Sequence, residues 1–298
     1  MNPFLGGVLY FAKPDHPIPR DGSNAIRARR RRDRAPVILK IVMQPARELA
    51  VHRYLLSPEL RDHPQNHTVP IIDEFPFIRH NGEPFLDWMI IVEPALPEMF
   101  PYGSLIDLFG QVFVRIRQVI EGLAFMHSNG IAHGDICHQN IYFMSGIEFR
   151  DGVPAHPAPP HLVSRAWRPP RFFFLDFGLA IAVSSSNGRL CTASDGGAIM
   201  PPELEQLDAA LESHTTYDPF AADVYCLGRV INKATAWISL SEPSEIVTYP
   251  PRILHLVQSM MHPEPDKRPT AHECLQLFEA EMQIFPRYKL ILPDVTWQ

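Results

Sequence analysis

Apolar positions change their spacing once along the chain, and the change separates a strand-rich beginning from a helix-rich remainder. Residues 8–12 and 37–42 are short β-branched and aromatic runs, which predicts two strands. The segment between them, with Arg27, Arg29, Arg30, Arg31, Arg32 and Arg34, reads as a polar hairpin loop; a nuclear-import or anion-binding patch is the other reading. Pro45 opens a predicted helix to residue 56, because a proline's missing N–H costs nothing in a first helical turn. Residues 69–78 and 85–93 predict further strands. From Leu105 the period becomes helical: Ile116, Val119, Ile120, Leu123 and Met126 share one face, and Asn129-Gly130 supplies a C-terminal cap. Strands are predicted again at residues 141–144 and 172–175, and helices at 222–231 and 253–261. Thr270 and Glu273 form a capping box ahead of a last helix. The order predicts an α+β protein with a sheet-rich N-terminal lobe and a helical C-terminal lobe.

Composition narrows the class without naming a chemistry. At 298 residues, 46% apolar and 20% charged, the chain can bury a sizeable core and reads as a soluble globular protein. A formal charge of −6 gives no global case for nucleic acid or an anionic membrane as partner. No apolar run reaches the roughly 20 residues a membrane helix needs. The start lacks the basic residues and cleavage site of a signal peptide. Cys137, Cys191, Cys226 and Cys274 lie far apart, which fits a reduced compartment, cytoplasmic or nuclear. Many of the 31 prolines fall in loops, above all at residues 154–170.

Three segments carry candidate chemistry. His133-Gly134-Asp135-Ile136-Cys137-His138-Gln139-Asn140 places an acid able to orient a hydroxyl proton and an amide oxygen able to bind Mg²⁺ on one tight loop. Phe172-Phe173-Phe174-Leu175-Asp176-Phe177-Gly178 ends an apolar strand in a carboxylate, a ring and a glycine, which presents a hard oxygen ligand from an anchored backbone. Val37-Ile38-Leu39-Lys40 ends a strand in a cation that can reach phosphate, with Glu48 on the next helix as its partner. Each segment alone also describes an ordinary turn or surface charge. His133, Cys137 and His138 find no fourth ligand nearby for zinc.

The order of these segments resembles the protein kinase superfamily, in a divergent, fungal-type form. Pro201-Pro202-Glu203 resembles the A-P-E motif, Asp223-Val224-Tyr225-Cys226-Leu227-Gly228 the start of the family's central helix, and Asp266-Lys267-Arg268-Pro269-Thr270 the segment whose Arg pairs with the A-P-E Glu. The resemblance spans nearly the whole chain. It implies one bilobal domain over residues 1–298, with an N-lobe to about 93, a C-lobe to about 282 and a short tail. It further implies ATP and Mg²⁺ or Mn²⁺, and a protein substrate. In the implied site Asp135 is catalytic and Asn140 and Asp176 hold metal. Lys40, Glu48, Gly6, Gly7, Val8 and Glu93 bind ATP. His133, Phe177, Gly178, Glu203, Asp223 and Arg268 are structural.

Four departures bear on activity. Gly6-Gly7-Val8 matches only the end of the family's phosphate-covering glycine loop, leaving fewer backbone N–H groups for phosphate. Gly134 stands where the family has the Arg that receives an activation-loop phosphate, so Thr192 and Ser194 read as loop polars. Cys137 replaces a Lys that contacts the transferring phosphate. A long Pro-rich insert around residues 146–170 separates Asn140 from Asp176. His52 falls where an apolar residue is usual, as a shifted register or a packed neutral imidazole. Three functions follow from the sequence: a phosphotransferase to protein Ser/Thr (less readily Tyr) hydroxyls, a pseudokinase scaffold, and a small-molecule kinase of the aminoglycoside or choline type, whose members share H-G-D-x-x-x-x-N.

Overall fold

The computed structural model describes residues 10–12, 25–43, 47–78, 83–96, 109–144, 149–150, 153–154, 171–183, 191–192, 197–205, 216–241 and 250–284. Five antiparallel strands form the main sheet: β1 (Tyr10–Ala12), β2 (Ala25–Arg30), β3 (Pro36–Met43), β4 (Asp73–Ile78) and β5 (Pro84–Pro94). Their order is β1-β2-β3-β5-β4. Directly opposed residues in antiparallel strands project to the same side. The register pairs Ile38 with Glu93, Lys40 with Ile91 and Val42 with Met89, so one face carries Ile38, Lys40, Val42, Ile91 and Glu93. Helix α1 (Arg47–Leu55) covers part of that face, packing Leu49 against Val42 and Ile91. The opposite face buries Ala28, Val37 and Val92 with Leu39, Ile72 and Phe75.

The arginine-rich segment departs from the expected loop. Its first half is strand β2, and only residues 31–35 turn. The alternation was hidden by charge: Ala28 and Arg30 are buried while Arg27 and Arg29 are exposed. Arg30 tolerates burial because its Nε donates to Asp33 Oδ1 at 3.0 Å, in the turn that follows. Residues 69–72, expected to begin a strand, lie ahead of β4 rather than in it. The Val69 N–H donates to Phe174 O (3.1 Å) and the Ile72 N–H to Val92 O (2.7 Å).

The helical part is built on α2 (Phe109–Ser128), which ends at Gly130 with φ 73°. A turn at positive φ suits glycine and stops a helix cleanly. Short strands follow: β6 (Ile131–Ala132), β7 (Ile141–Met144), β8 (Phe149–Arg150), β9 (Val153–Pro154), β10 (Arg171–Phe174), β11 (Ile181–Ala182), β12 (Cys191–Thr192) and β13 (Thr216–Tyr217). Then come α3 (Pro219–Ser241), α4 (Pro251–Met260) and α5 (Ala271–Ile284). The capping box opens α5: the Glu273 N–H donates to Thr270 Oγ1 at 3.2 Å, and the Thr270 N–H donates to Glu273 Oε2 at 2.8 Å. One large core joins Phe113, Ile120 and Leu123 of α2 to Leu227, Leu256, Phe278, Phe172 and Phe174. Each such side chain contributes roughly 1.5–3 kcal/mol on burial. The architecture is mixed α+β. Gly6, Gly7, Val8 and Pro45, Ser194, most of the Pro-rich insert and all but the first two residues of the expected tail lie outside the described residues. Among the described residues, no helix is long and apolar enough to cross a membrane.

Candidate active site

Two antiparallel strands bring the candidate metal ligands together. β7 pairs with β10, matching Ile141 to Phe174 and Phe172 to Phe143. Asn140 immediately precedes β7 and Asp176 lies just beyond β10, and the Leu175 N–H donates to Asn140 O at 2.9 Å. The long Pro-rich insert joins the far ends of this pair, so its length leaves the ligand end unaffected. Both amide protons of Asn140 go to Asp135, to its backbone O at 2.9 Å and its Oδ2 at 2.8 Å. The Asn140 carbonyl oxygen is therefore the end available to a cation.

Lys40 bridges the sheet to this loop. Its Nζ is salt-bridged to Glu48 on α1 and lies 2.8 Å from Asp176 Oδ1. Burial would lower the Lys40 pKa, but Glu48, Asp176 and Glu93 outweigh it, and the ammonium is held above its ordinary range. Burial likewise would raise the Asp176 carboxyl, yet the charge and hydrogen bond of Lys40 keep it below the ordinary range. Asp176 sits at φ 62°, which costs a non-glycine residue on the order of 1 kcal/mol. The Lys40 contact and the Gly178 N–H (3.3 Å to Oδ1) hold it there. Asp176 and the Asn140 oxygen are hard donors that suit Mg²⁺, and Lys40 suits phosphate. The fit is a pair of oxygens, since no group of three His, Cys, Asp or Glu occurs among the described residues as a metal site.

The Asp135 loop is anchored from beneath. Asp223, buried on α3, accepts the His133 N–H (2.6 Å) and the Gly134 N–H (2.9 Å). The His133 ring is fully buried and donates from Nε2 to Leu175 O at 3.0 Å, while its Nδ1 accepts the Asp135 N–H at 3.3 Å. Burial keeps it neutral by lowering its pKa. Gly134 adopts φ 78°, and a Cβ there would fall 2.3 Å from Leu179 O. The glycine is thus a packing requirement of this loop. Phe177, wholly buried, sits between the rings of His52 (5.0 Å) and His133 (5.2 Å) and so links α1 to the loop. Cys137 is buried, and burial pushes its thiol pKa up, so it offers no charge to phosphate.

Glu203 and Arg268 meet as a bidentate pair: Nη1 to Oε1 and Nη2 to Oε2 are both 2.7 Å. Tyr225 lies under the guanidinium at 4.8 Å. The motif reading missed one contact. The Ala198 N–H donates to Asp135 Oδ1 at 2.7 Å. A Cβ on Gly197 would come 2.7 Å from the same oxygen, so the Gly196-Gly197 pair was the available signal of close approach.

His52 is a packed neutral imidazole. It is 1% exposed, hydrogen-bonds Val69 O from Nε2 at 2.7 Å, and burial lowers its pKa to about 4. Glu93, whose Oε1 is 3.9 Å from His52 Nδ1, is pushed up to about 7 by burial. Their effects on stability oppose each other. Between about pH 4.5 and 6.5 the unfolded chain binds the extra proton at His52, whereas the folded chain retains it at Glu93. Stability gained with rising pH at one is lost at the other. Glu93→Gln should therefore expose the His52 slope, with stability falling by about 1.4 kcal/mol per pH unit on acidification below 6.5 relative to wild type. Urea titrations at pH 5 and 6.5 check this; parallel shifts in both proteins would refute it.

This α+β architecture, with a Lys–Glu–Asp cluster facing an Asp–Asn loop, is compatible with a protein-kinase-like fold. No family model matches the chain. It is similar to a Wee1-like protein kinase of Oryza sativa subsp. japonica, 26% identical over 184 residues, covering 56% of this chain. The match spans only 28% of that relative's length.

Proposed function

We propose that the chain is an ATP-dependent phosphotransferase acting on a protein Ser or Thr hydroxyl, folded as one bilobal domain with its cleft between the sheet and the helical part. The observation that carries this reading is the convergence of Lys40, Glu48, Asp176, Asn140 and Asp135 from four separate segments. Lys40, positioned by Glu48, holds phosphate. Asp176 and Asn140 hold Mg²⁺ or Mn²⁺, which neutralises phosphate charge. Asp135 orients the acceptor hydroxyl and takes its proton; its two oxygens each keep a lone pair beyond those used by Asn140 and Ala198. The similarity to a protein kinase supports phosphoryl transfer in general, not the choice of hydroxyl.

A pseudokinase is the second reading, favoured by one arrangement: Asp176 is tied to Lys40 and both Asp135 oxygens already accept hydrogen bonds. A small-molecule kinase fits Gly134 but does not account for the Glu203–Arg268 pair. Turnover of ATP with Mg²⁺ or Mn²⁺ and a mixed protein substrate decides between the first two. Asp135→Asn is expected to lower turnover by at least about 10²-fold while leaving ATP binding in place. Wild-type turnover no faster than the variant's would leave the scaffold reading.

A further inference from the structure

The face of the sheet that carries Lys40 has one side closed. Toward Val42 it is covered by Leu49 of α1. A nucleotide whose phosphates meet Lys40 therefore extends the other way, toward Ile38, one row along the strand at about 7 Å. The register fixes what that row contains. Ile38 of β3 faces Arg27 on one side and Glu93 on the other, so all three project from the Lys40 face. Ile38 is half-buried, Arg27 is exposed and Glu93 is 4% exposed. A nucleobase resting on Ile38 would have a carboxylate at its inner edge and a guanidinium along its outer side.

That lining is chemically selective. A carboxylate only accepts hydrogen bonds, through two oxygens side by side. Guanine offers two adjacent donors, N1–H and N2–H₂, to such a pair; adenine offers its N6–H₂ alone. The neighbouring His52 does not compete for the carboxylate as a donor, because its proton is committed from Nε2 to Val69 O. The guanidinium of Arg27 can lie over the ring face of either base.

We propose that the base subsite of this chain accepts guanine as well as adenine, and that Glu93 is the residue that admits guanine. This rests on the phosphotransferase reading for the orientation of the nucleotide. The test is equilibrium binding of Mg²⁺–GTP and Mg²⁺–ATP to the whole chain at pH 8, where Glu93 is ionised, in wild type, Glu93→Met and Arg27→Ala. The expected wild-type Kd values lie within a few-fold of each other. Glu93→Met should reduce the GTP-to-ATP affinity ratio by at least about tenfold, in line with the loss of a bidentate base contact. Arg27→Ala should weaken both nucleotides alike and leave the ratio unchanged. Binding of ATP with no measurable GTP binding overturns the inference and spares the phosphotransferase. An unchanged ratio in Glu93→Met, with thermal unfolding showing the variant folded, also overturns it. Failure of both nucleotides to bind overturns the phosphotransferase reading and this one with it.

Discussion

Glu203→Ala is expected to lower the unfolding free energy by about 3–5 kcal/mol, because it leaves a guanidinium buried without its counter-charge. The Arg268 side chain has no exposure, whereas Glu203 retains 15%. The asymmetry matters. Arg268 spends its remaining donors on His262 O at 2.7 Å, Ala221 O at 2.9 Å and Pro263 O at 3.3 Å, so it cannot swing out to water without abandoning those carbonyls. Glu203 opposite an alanine can hydrate, so the uncompensated charge weighs less in Arg268→Ala than the lost carbonyl contacts and packing over Tyr225. Glu203→Gln keeps an acceptor for the fork and should fall between wild type and Glu203→Ala. Urea unfolding with unchanged m-values measures the differences. A Glu203→Ala protein within 1 kcal/mol of wild type would mean that the pair contributes no net attraction.

The same pair shows what a sequence pattern can and cannot carry. Local signals were strong where apolar residues run together: residues 141–144 and 172–174 announce themselves as strands, and the box at Thr270 opens α5 as its spacing requires. Ordered motifs pointed to Lys40, Glu48, Asp135, Asn140 and Asp176 as a set, and the structure gathers them around one cluster of contacts. Strand β2 was obscured because three of its six residues are arginine, and composition outweighed the period of two. Nothing local disclosed that Arg30 turns inward; its Asp33 partner belongs to the turn. The contact between Ala198 and Asp135 joins positions 63 apart through a backbone N–H, which leaves no trace in side-chain pattern beyond the two glycines before it. The polar row Arg27–Ile38–Glu93 depends on strand register, and register is set by pairing between segments.

Gly134→Arg should destabilise the protein by several kcal/mol and fail to create a phosphate-responsive enzyme. An Arg at this position has two separate obstacles. The backbone stands at φ 78°, where a side chain costs about 1–3 kcal/mol. Any Cβ would also lie 2.3 Å from Leu179 O, a backbone atom that cannot rotate aside, and relieving such an overlap costs typically 1–3 kcal/mol more. The strain falls on the loop that holds Asp135, because the Gly134 N–H is bound by Asp223. Turnover should therefore drop even where the protein remains folded. The consequence for regulation follows directly. Ordering of a loop by phosphate needs a cation to receive it; Gly134 offers none, and the segment from Asp176 to Glu203 carries a single basic residue of its own, Arg189, outside the described residues. Wild-type activity is then expected to be unchanged by phosphatase treatment that leaves Thr192 and Ser194 unmodified. Loss of activity on dephosphorylation, recovered on rephosphorylation, would show that another cation receives the phosphate. Phosphate-dependent activation of a folded Gly134→Arg would show that the loop has room for the side chain that its present conformation excludes.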